Sequence, residues 1–223
     1  MNDTLALFDL DHTLLAGDSD VLWCEFLMDR GVLDRAAFEP RNRAIEAGYR
    51  AGTVGVMEFC SFFIGTLAGR APQEWQALRE AFFAERVRPR FVAAGRACLE
   101  AHRAAGDTLV LTTATNRFLT ELTAAALGVE HLIATECELD AEGRFTGRVA
   151  GEPNMREGKV ARLRDWLAAR GERLDGRRSV FYSDSINDLP LLAEVDEPVA
   201  VDPDPRLAAE ADRRGWAVRR WRG

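Results

Sequence analysis

Two aspartates one residue apart, Asp9 and Asp11 in the segment LALFDLDHTLL at residues 5–15, open the set of reactive side chains in this sequence. They follow four apolar residues that read as a buried strand, and side chains two apart on a strand share a face. Carboxylates side by side at a core boundary repel each other and lose hydration, a heavy cost unless something offsets it. Similar groups recur after two later apolar runs. LVLTTATN ends in Thr112, Thr113, Thr115 and Asn116, and VFYSDSIND ends in Ser183, Asp184, Ser185, Asn187 and Asp188. Between them Lys159 opens a helical pattern; it is the only lysine among 29 basic residues. A compact ammonium fits a tight anionic site where a guanidinium fork does not.

Each group alone has a bland explanation. An Asp after a strand is often a helix N-cap, Thr113 and Thr115 could do the same, and most lysines are solvated. Capping does not account for three or four carboxylates, a hydroxyl and one ammonium, all in loops that follow buried strands. Close carboxylates tolerate one another when they share a hard cation, and an oxygen site with room for water and phosphate suits Mg2+. Thr113, Lys159 and the amides of the following helix would hold the remaining phosphate oxygens. Phosphoryl transfer requires little beyond such placement and charge neutralisation.

The elements that must position these residues follow from periodicity. From about residue 18 to residue 87 the segments VLWCEFLMDRGV, AAFEPRNRAIEAGYRAG, VGVMEFCSFFIGTLAG and PQEWQALREAFFAERV place apolar residues three and four apart, with no strand between them. After Pro89 helix and strand alternate: RFVAAGRACLEAHRAAG, DTLVLTTA, NRFLTELTAAALG, HLIATECEL, then EGKVARLRDWLAARG, RSVFYS, INDLPLLAEV, EPVAVD, PRLAAEADRRG and WAVRRW. DAEGRFTGRVAG, with Gly143 at its turn, reads as a hairpin. Such alternation implies right-handed crossovers and a mostly parallel sheet covered on both faces, an α/β fold. In these sheets ligands bind beyond the carboxyl ends of the strands, which is where the reactive groups fall. The helical block is most simply an insertion after the first strand.

Composition narrows the function classes. Of 223 residues 47% are hydrophobic, enough for a large core, and the net charge of −7 argues against a general nucleic-acid or anionic-membrane binder. The basic tail Arg219, Arg220 and Arg222 is too short to reverse this and is expected to be solvated. There is no signal-like segment and no 18-residue apolar run. The four cysteines (Cys24, Cys60, Cys98 and Cys137) are widely spaced, as buried thiols in a reducing compartment would be. A cytoplasmic protein acting on small molecules, with neither nucleic acid nor membrane as partner, is the expectation; oligomeric state is left open.

In this order, FDLDHTLL, LVLTTAT, the Lys159 segment EGKVARL and SDSINDLPLL resemble the haloacid dehalogenase superfamily of phosphatases, over the whole chain. The second aspartate favours phosphatase over dehalogenase, and the helical block looks like the cap of the branch containing phosphoserine phosphatases. The resemblance implies a three-layer, Rossmann-like α/β core from residues 1–16 and 88–223, with an all-helical cap at 17–87. It implies that Asp9 is the nucleophile, forming an aspartyl-phosphate, and that Asp11 is general acid and then base. Asp9, Asp184 and the main-chain carbonyl of Asp11 would bind Mg2+, and Thr113 and Lys159 the phosphoryl group. Asp188 would orient metal-bound water or Lys159, with Asn187 on the side of a small phosphomonoester substrate.

Asp18 falls where phosphoserine phosphatases carry the acid that pairs with the substrate ammonium. Their arginine for the substrate carboxylate falls near Phe63, yet residues 53–69 contain no arginine. A buried carboxylate without that partner is costly, which disfavours phosphoserine, and TTATN in place of a Ser-Gly-Gly turn makes the second loop bulkier. The expected substrate bears a cationic amine and no carboxylate. Histidinol phosphate fits, with Asp18 on the amine and Trp23, Phe59 or Phe63 on the imidazole. Phosphocholine in a cation–π cage is the alternative, and plain cap core is the bland reading of FCSFF. A phosphotransferase of the same fold would use the same residues. A receiver-like phosphoaspartate signalling protein would also gather acids, a hydroxyl and a lysine, but its acids are not spaced DxD and it carries no helical insertion.

Overall fold

The computed structural model describes residues 4–222. Among these, the strands are β1 Leu5–Phe8, β2 Thr108–Asn116, β3 His131–Leu139, β4 Phe145–Ala150, β5 Ser179–Ser183, β6 Glu197–Val201 and β7 Ala217–Arg219. They form one sheet in the order β4-β3-β2-β1-β5-β6-β7. All neighbours are parallel except β3 and β4, the hairpin turned at Gly143. The central strand β1 is buried throughout, as its unbroken apolar run requires of a strand covered on both faces. Its residues alternate between two apolar layers: Ala6 and Phe8 pack with Leu99 and Leu111, while Leu5 and Leu7 pack with Leu163 and Leu191. The result is a three-layer α/β fold. The chain leaves β1 for β2 on one side and β5 on the other, so the three strand ends meet at the switch point where such sheets bind ligands.

Among the described residues, the first four of the five α-helices between β1 and β2 are α1 Ser19–Asp29, α2 Arg35–Ala51, α3 Val56–Ile64 and α4 Pro72–Phe82. Local chemistry starts and stops them. Asp18 caps α1 through the Val21 amide, Asp34 caps α2 through the Ala36 amide, and Gly52 ends α2 at φ 76°, a left-handed conformation that favours glycine. The block shares its core with the sheet layers. Trp23, Phe26, Trp75 and Phe82 belong to the same apolar cluster as Leu14, Phe118 and Phe145. The remaining helices are α5 Ala93–Ala105, α6 Arg117–Ala126, α7 Glu157–Ala168, the short α8 Leu189–Leu192, and α9 Pro205–Arg214.

One expectation is corrected here. Trp23 is no ligand-stacking residue: it is 1% exposed, packed against Trp75 and Phe82, and its indole N–H donates to Thr66. The arginines of the basic tail, Arg219, Arg220 and Arg222, are exposed as expected of a solvated tail, while its backbone is docked. Arg219 lies in β7, Trp221 stacks on Tyr182, and the Trp221 and Arg222 amides donate to the Asp202 carboxylate. Among the described residues no helix is long and apolar enough to cross a membrane, and all four cysteines are free thiols.

Candidate active site

Where β1 ends, the Asp9 amide donates to the Tyr182 carbonyl (2.9 Å), carrying the parallel pairing one residue further. The Leu10 carbonyl then accepts from the amides of Thr13, Leu14 and Leu15, and His12 takes the turn at φ 58°. This hook holds Asp9, Asp11 and Thr13 at the carboxyl end of the sheet. Lys159 reaches them from the first turn of α7. Its Nζ, 2% exposed, donates to Asp9 Oδ1 and Asp188 Oδ2 at 2.7 Å each, and Ser183 Oγ donates to the same Asp188 oxygen at 2.7 Å. The Thr13 hydroxyl lies 3.3 Å from Asp9 Oδ2 and 3.4 Å from Asp184 Oδ1, so these two carboxylates flank one hydroxyl. Asp11 Oδ1 accepts from the Ser19 amide and hydroxyl, and Oδ2 from Thr115 Oγ1 (2.8 Å) and Thr113 Oγ1 (3.3 Å).

The start of α7 is fixed by a buried amide. Asn154 Nδ2 donates to Thr112 Oγ1, the Thr113 carbonyl and the Ile133 carbonyl at 2.9–3.0 Å, which moors this loop to β2 and β3. Gly158 is needed because a Cβ there would stand 2.0 Å from the Pro153 carbonyl oxygen.

The charges at this rim are unbalanced. Asp9, Asp11, Asp184 and Asp188 gather around one ammonium. Burial pushes the Asp9 carboxyl well above its ordinary range; Lys159 opposes this, and the charges of Asp188, Asp184 and Asp11 add to it. Burial, then the Asp188 charge, pushes Asp184 up to about 7. For Lys159 burial alone would lower the value, but the Asp188 and Asp9 charges outweigh it and hold the ammonium charged. Surplus negative charge on hard oxygen donors is the environment of a hard cation. Among the described residues no three His, Cys, Asp or Glu side chains cluster as metal ligands. Asp9 and Asp184, whose carboxylates lie 3.3 and 3.4 Å from the one Thr13 hydroxyl, could both reach such an ion. So few protein donors suit Mg2+, which keeps several waters.

A cavity of about 460 Å³ opens beside this rim, walled by His12, Gly17, Asp18, Val21, Leu22, Glu25, Glu46, Tyr49, Phe59 and Phe63. Its wall holds three carboxylates, the His12 imidazole, the rings of Tyr49, Phe59 and Phe63 and, among the described residues, no lysine or arginine. Burial, then the Asp11 charge, pushes Asp18 up to about 7, and Glu46 adds to the effect. Tyr49 and Phe59 pack with ring centroids 4.4 Å apart and planes tilted by 31°, and Phe63 meets Phe59 edge-on at 5.2 Å. Phe63 also packs with Cys24 and Phe38, so it is helical core and cavity wall at once.

The structure therefore joins Asp9, Lys159, Asp184 and Asp188 in one hydrogen-bonded set, bridged by Thr13, and Asp11 and Thr113 in a second, with Asp18 and Phe63 in the adjoining cavity wall. Asn187 touches that wall, its Oδ1 within 3.5 Å of the Tyr49 hydroxyl and 3.4 Å of Arg156 Nε. Sequence reasoning missed Ser19, Asn154, Tyr49 and Arg156. Glu46 and Tyr49, three apart on a helix, share a face, a signal that could have pointed to the wall. Nothing local marks Asn154 or Arg156.

A family model described as haloacid dehalogenase-like hydrolase matches residues 6–193. A histidinol-phosphatase of Neisseria meningitidis is 39% identical over 215 residues, covering 96% of this chain and 97% of that protein. A phosphoserine phosphatase of Mycobacterium tuberculosis is 33% identical over 97% of this chain and 70% of its own length. A crystal structure of a Bordetella pertussis protein of unknown function superposes with a TM-score of 0.93 at 44% identity, covering 98% of this chain and 99% of that one. A substrate-bound phosphoserine phosphatase complex shares the fold, with a TM-score of 0.70 at 16% identity over 98% of this chain and 93% of that one.

Proposed function

We propose that this chain, which belongs to the haloacid dehalogenase-like hydrolase family and is a phosphoric monoester hydrolase of its phosphoserine phosphatase-like branch, hydrolyses a small phosphomonoester carrying a cationic amine and no carboxylate, histidinol phosphate being the best fit. The observation that carries this is the cavity wall: Asp18, Glu25 and Glu46 supply negative charge, Tyr49, Phe59 and Phe63 supply faces for a flat ring, and the described lining offers no lysine or arginine to a substrate carboxylate. The 39% identical histidinol-phosphatase adds weight. Residues 17–87 would be the cap that closes this cavity over a core made of 1–16 and 88–223.

In this mechanism Lys159 holds Asp9 Oδ1, which leaves Oδ2 to attack phosphorus and form the aspartyl-phosphate. Asp11 gives a proton to the leaving alcohol oxygen, then takes one from the water that cleaves the phosphoryl–aspartate bond. Thr113 and Lys159 donate to the phosphoryl oxygens, and Asp188 keeps Lys159 in register. Asp9, Asp184 and the Asp11 carbonyl would hold Mg2+, which when bound offsets the charge of the transferring phosphoryl group. Asp18 pairs with the substrate amine.

A panel of phosphomonoesters assayed with Mg2+, with and without chelator, tests this. Histidinol phosphate should lead phosphocholine and phosphoserine, and chelation should abolish turnover. Phosphoserine leading by orders of magnitude would overturn the substrate reading.

A further inference from the structure

Helix α2 is the least embedded of the four helices between β1 and α5: among its described side chains only Phe38 is buried. Such a helix has few apolar contacts to hold it and belongs to the low-stability end of a structure. Near its C-terminal end, Tyr49 meets two loops of the sheet domain at once. Its ring centre lies 4.4 Å from that of Phe59 and 4.8 Å from the Arg156 guanidinium. Its hydroxyl lies within 3.5 Å of Asn187 Oδ1 and 3.7 Å of the Met155 sulfur. Arg156 Nε approaches the same Asn187 oxygen at 3.4 Å. Arg156 holds φ 53°, a left-handed conformation rare for a side-chain-bearing residue, retained where its surroundings over-determine it.

The sequence neighbours of these contacts give them a function. Met155 and Arg156 lead directly into the turn that carries Lys159, and Asn187 precedes Asp188, the other anchor of that ammonium. Tyr49 is also part of the cavity wall. One side chain thus touches the space above the aspartates and both loops that position Lys159.

We propose that Tyr49 is a positioning residue: with Arg156 and Asn187 it latches α2 onto the two loops that hold Lys159, so that filling the cavity sets the reaction centre in register. The inference rests on the reading of Asp9 as nucleophile and of the cavity as the amine-ester site. An ester that fills the cavity presses on Tyr49 and benefits from the latch. A donor as small as acetyl phosphate reaches Asp9 without touching the wall and does not.

Tyr49→Phe removes the hydroxyl and keeps the ring. We expect it to lower kcat/KM for histidinol phosphate about tenfold, the weight of one hydrogen bond, and to lower that for acetyl phosphate several-fold less, with the melting temperature unchanged. Arg156→Ala should show the same substrate split, and adding Tyr49→Phe to it should cost little more, because the two act through one oxygen. A wild-type enzyme with no preference for the amine ester would overturn the substrate reading and this inference together. A wild type that prefers it, with Tyr49→Phe either unaffected or equally weakened on both donors, or with fully additive losses, would overturn the latch alone.

Discussion

Lys159→Met removes a charge and keeps a chain of similar length. The ammonium is 2% exposed and bridges two carboxylates at 2.7 Å, whose own side chains are 10% and 4% exposed. Methionine leaves Asp9 and Asp188 facing each other, with Asp184 and Asp11 close enough to raise the Asp9 carboxyl further. Removing one partner of a buried ion pair costs about 3–5 kcal/mol, because the surviving charge is left uncompensated. A chain of this size loses about 2–4 °C of melting temperature per kcal/mol, so the expected drop is roughly 6–20 °C. Phosphatase activity should vanish at the same time. The decisive comparison is the double variant Lys159→Met with Asp188→Asn, which removes one orphaned charge and should restore at least about 1 kcal/mol while leaving activity absent. Denaturant titration followed by circular dichroism, alongside the phosphatase assay, measures both. A Lys159→Met protein less than about 1 kcal/mol less stable than its parent, or a double variant weaker still, would refute the claim that these carboxylates depend on one ammonium.

Gly158→Ala should be damaging out of proportion to one methyl group, since the added Cβ would meet the Pro153 carbonyl at 2.0 Å. Relieving the clash must shift the turn that aims Lys159, so kcat should fall at least tenfold while Ala168→Gly, at the far end of α7, leaves kcat near wild type. On the opposite side of the sheet, His102 bridges Asp107 (2.7 Å) and the Tyr182 hydroxyl (2.9 Å). Hydrogen bonding to Cys98, opposed by burial and reinforced by Asp107, raises the His102 value. Burial would raise Asp107, but the His102 and Thr4 hydrogen bonds outweigh it and lower its value. The His102 contribution to stability is thus complete below its unfolded value of about 6.5 and lost as pH rises through the higher folded value. That of Asp107 is present above about 3.9 and lost as pH falls through its lower folded value. His102→Gln should therefore lower the melting temperature more at about pH 5.5 than at about pH 8, and equal losses at both would contradict the assignment.

How far the sequence foretold this molecule depends on the range of the signal. The apolar run before Asp9 read as a buried strand, and strand–helix alternation after Pro89 left few arrangements besides a mostly parallel sheet, so the fold class and the strand ends were readable, while the central place of that strand was not. The DxDxT hook was readable too, because three residues within one turn must meet. Lys159 stood out through its rarity. What stayed hidden depends on contacts between distant segments. Nothing near Asn154 announces that its amide binds β2 and β3 at once. The position of Trp23 was misjudged because an indole near a binding-site acid looks like a platform, whereas packing with Trp75 and Phe82 some fifty residues later takes it into the core. Tyr49 and Arg156 meet across 107 positions (49 to 156), a pairing visible only after folding. The backbone docking of the tail, whose arginines are exposed, has the same origin: its amides donate to Asp202, some twenty residues away.

The central claim is that the Asp9 carboxylate bonds to phosphorus during turnover. Acid quenching of the enzyme with substrate, followed by borohydride reduction and peptide mass spectrometry, converts an aspartyl-phosphate into homoserine at the modified position. The account predicts homoserine at residue 9 in the wild type and none in Asp9→Asn, whose circular dichroism should match the wild type while turnover is absent. Rapid hydrolysis with an unmodified residue 9, or reduction at another carboxylate, would contradict it.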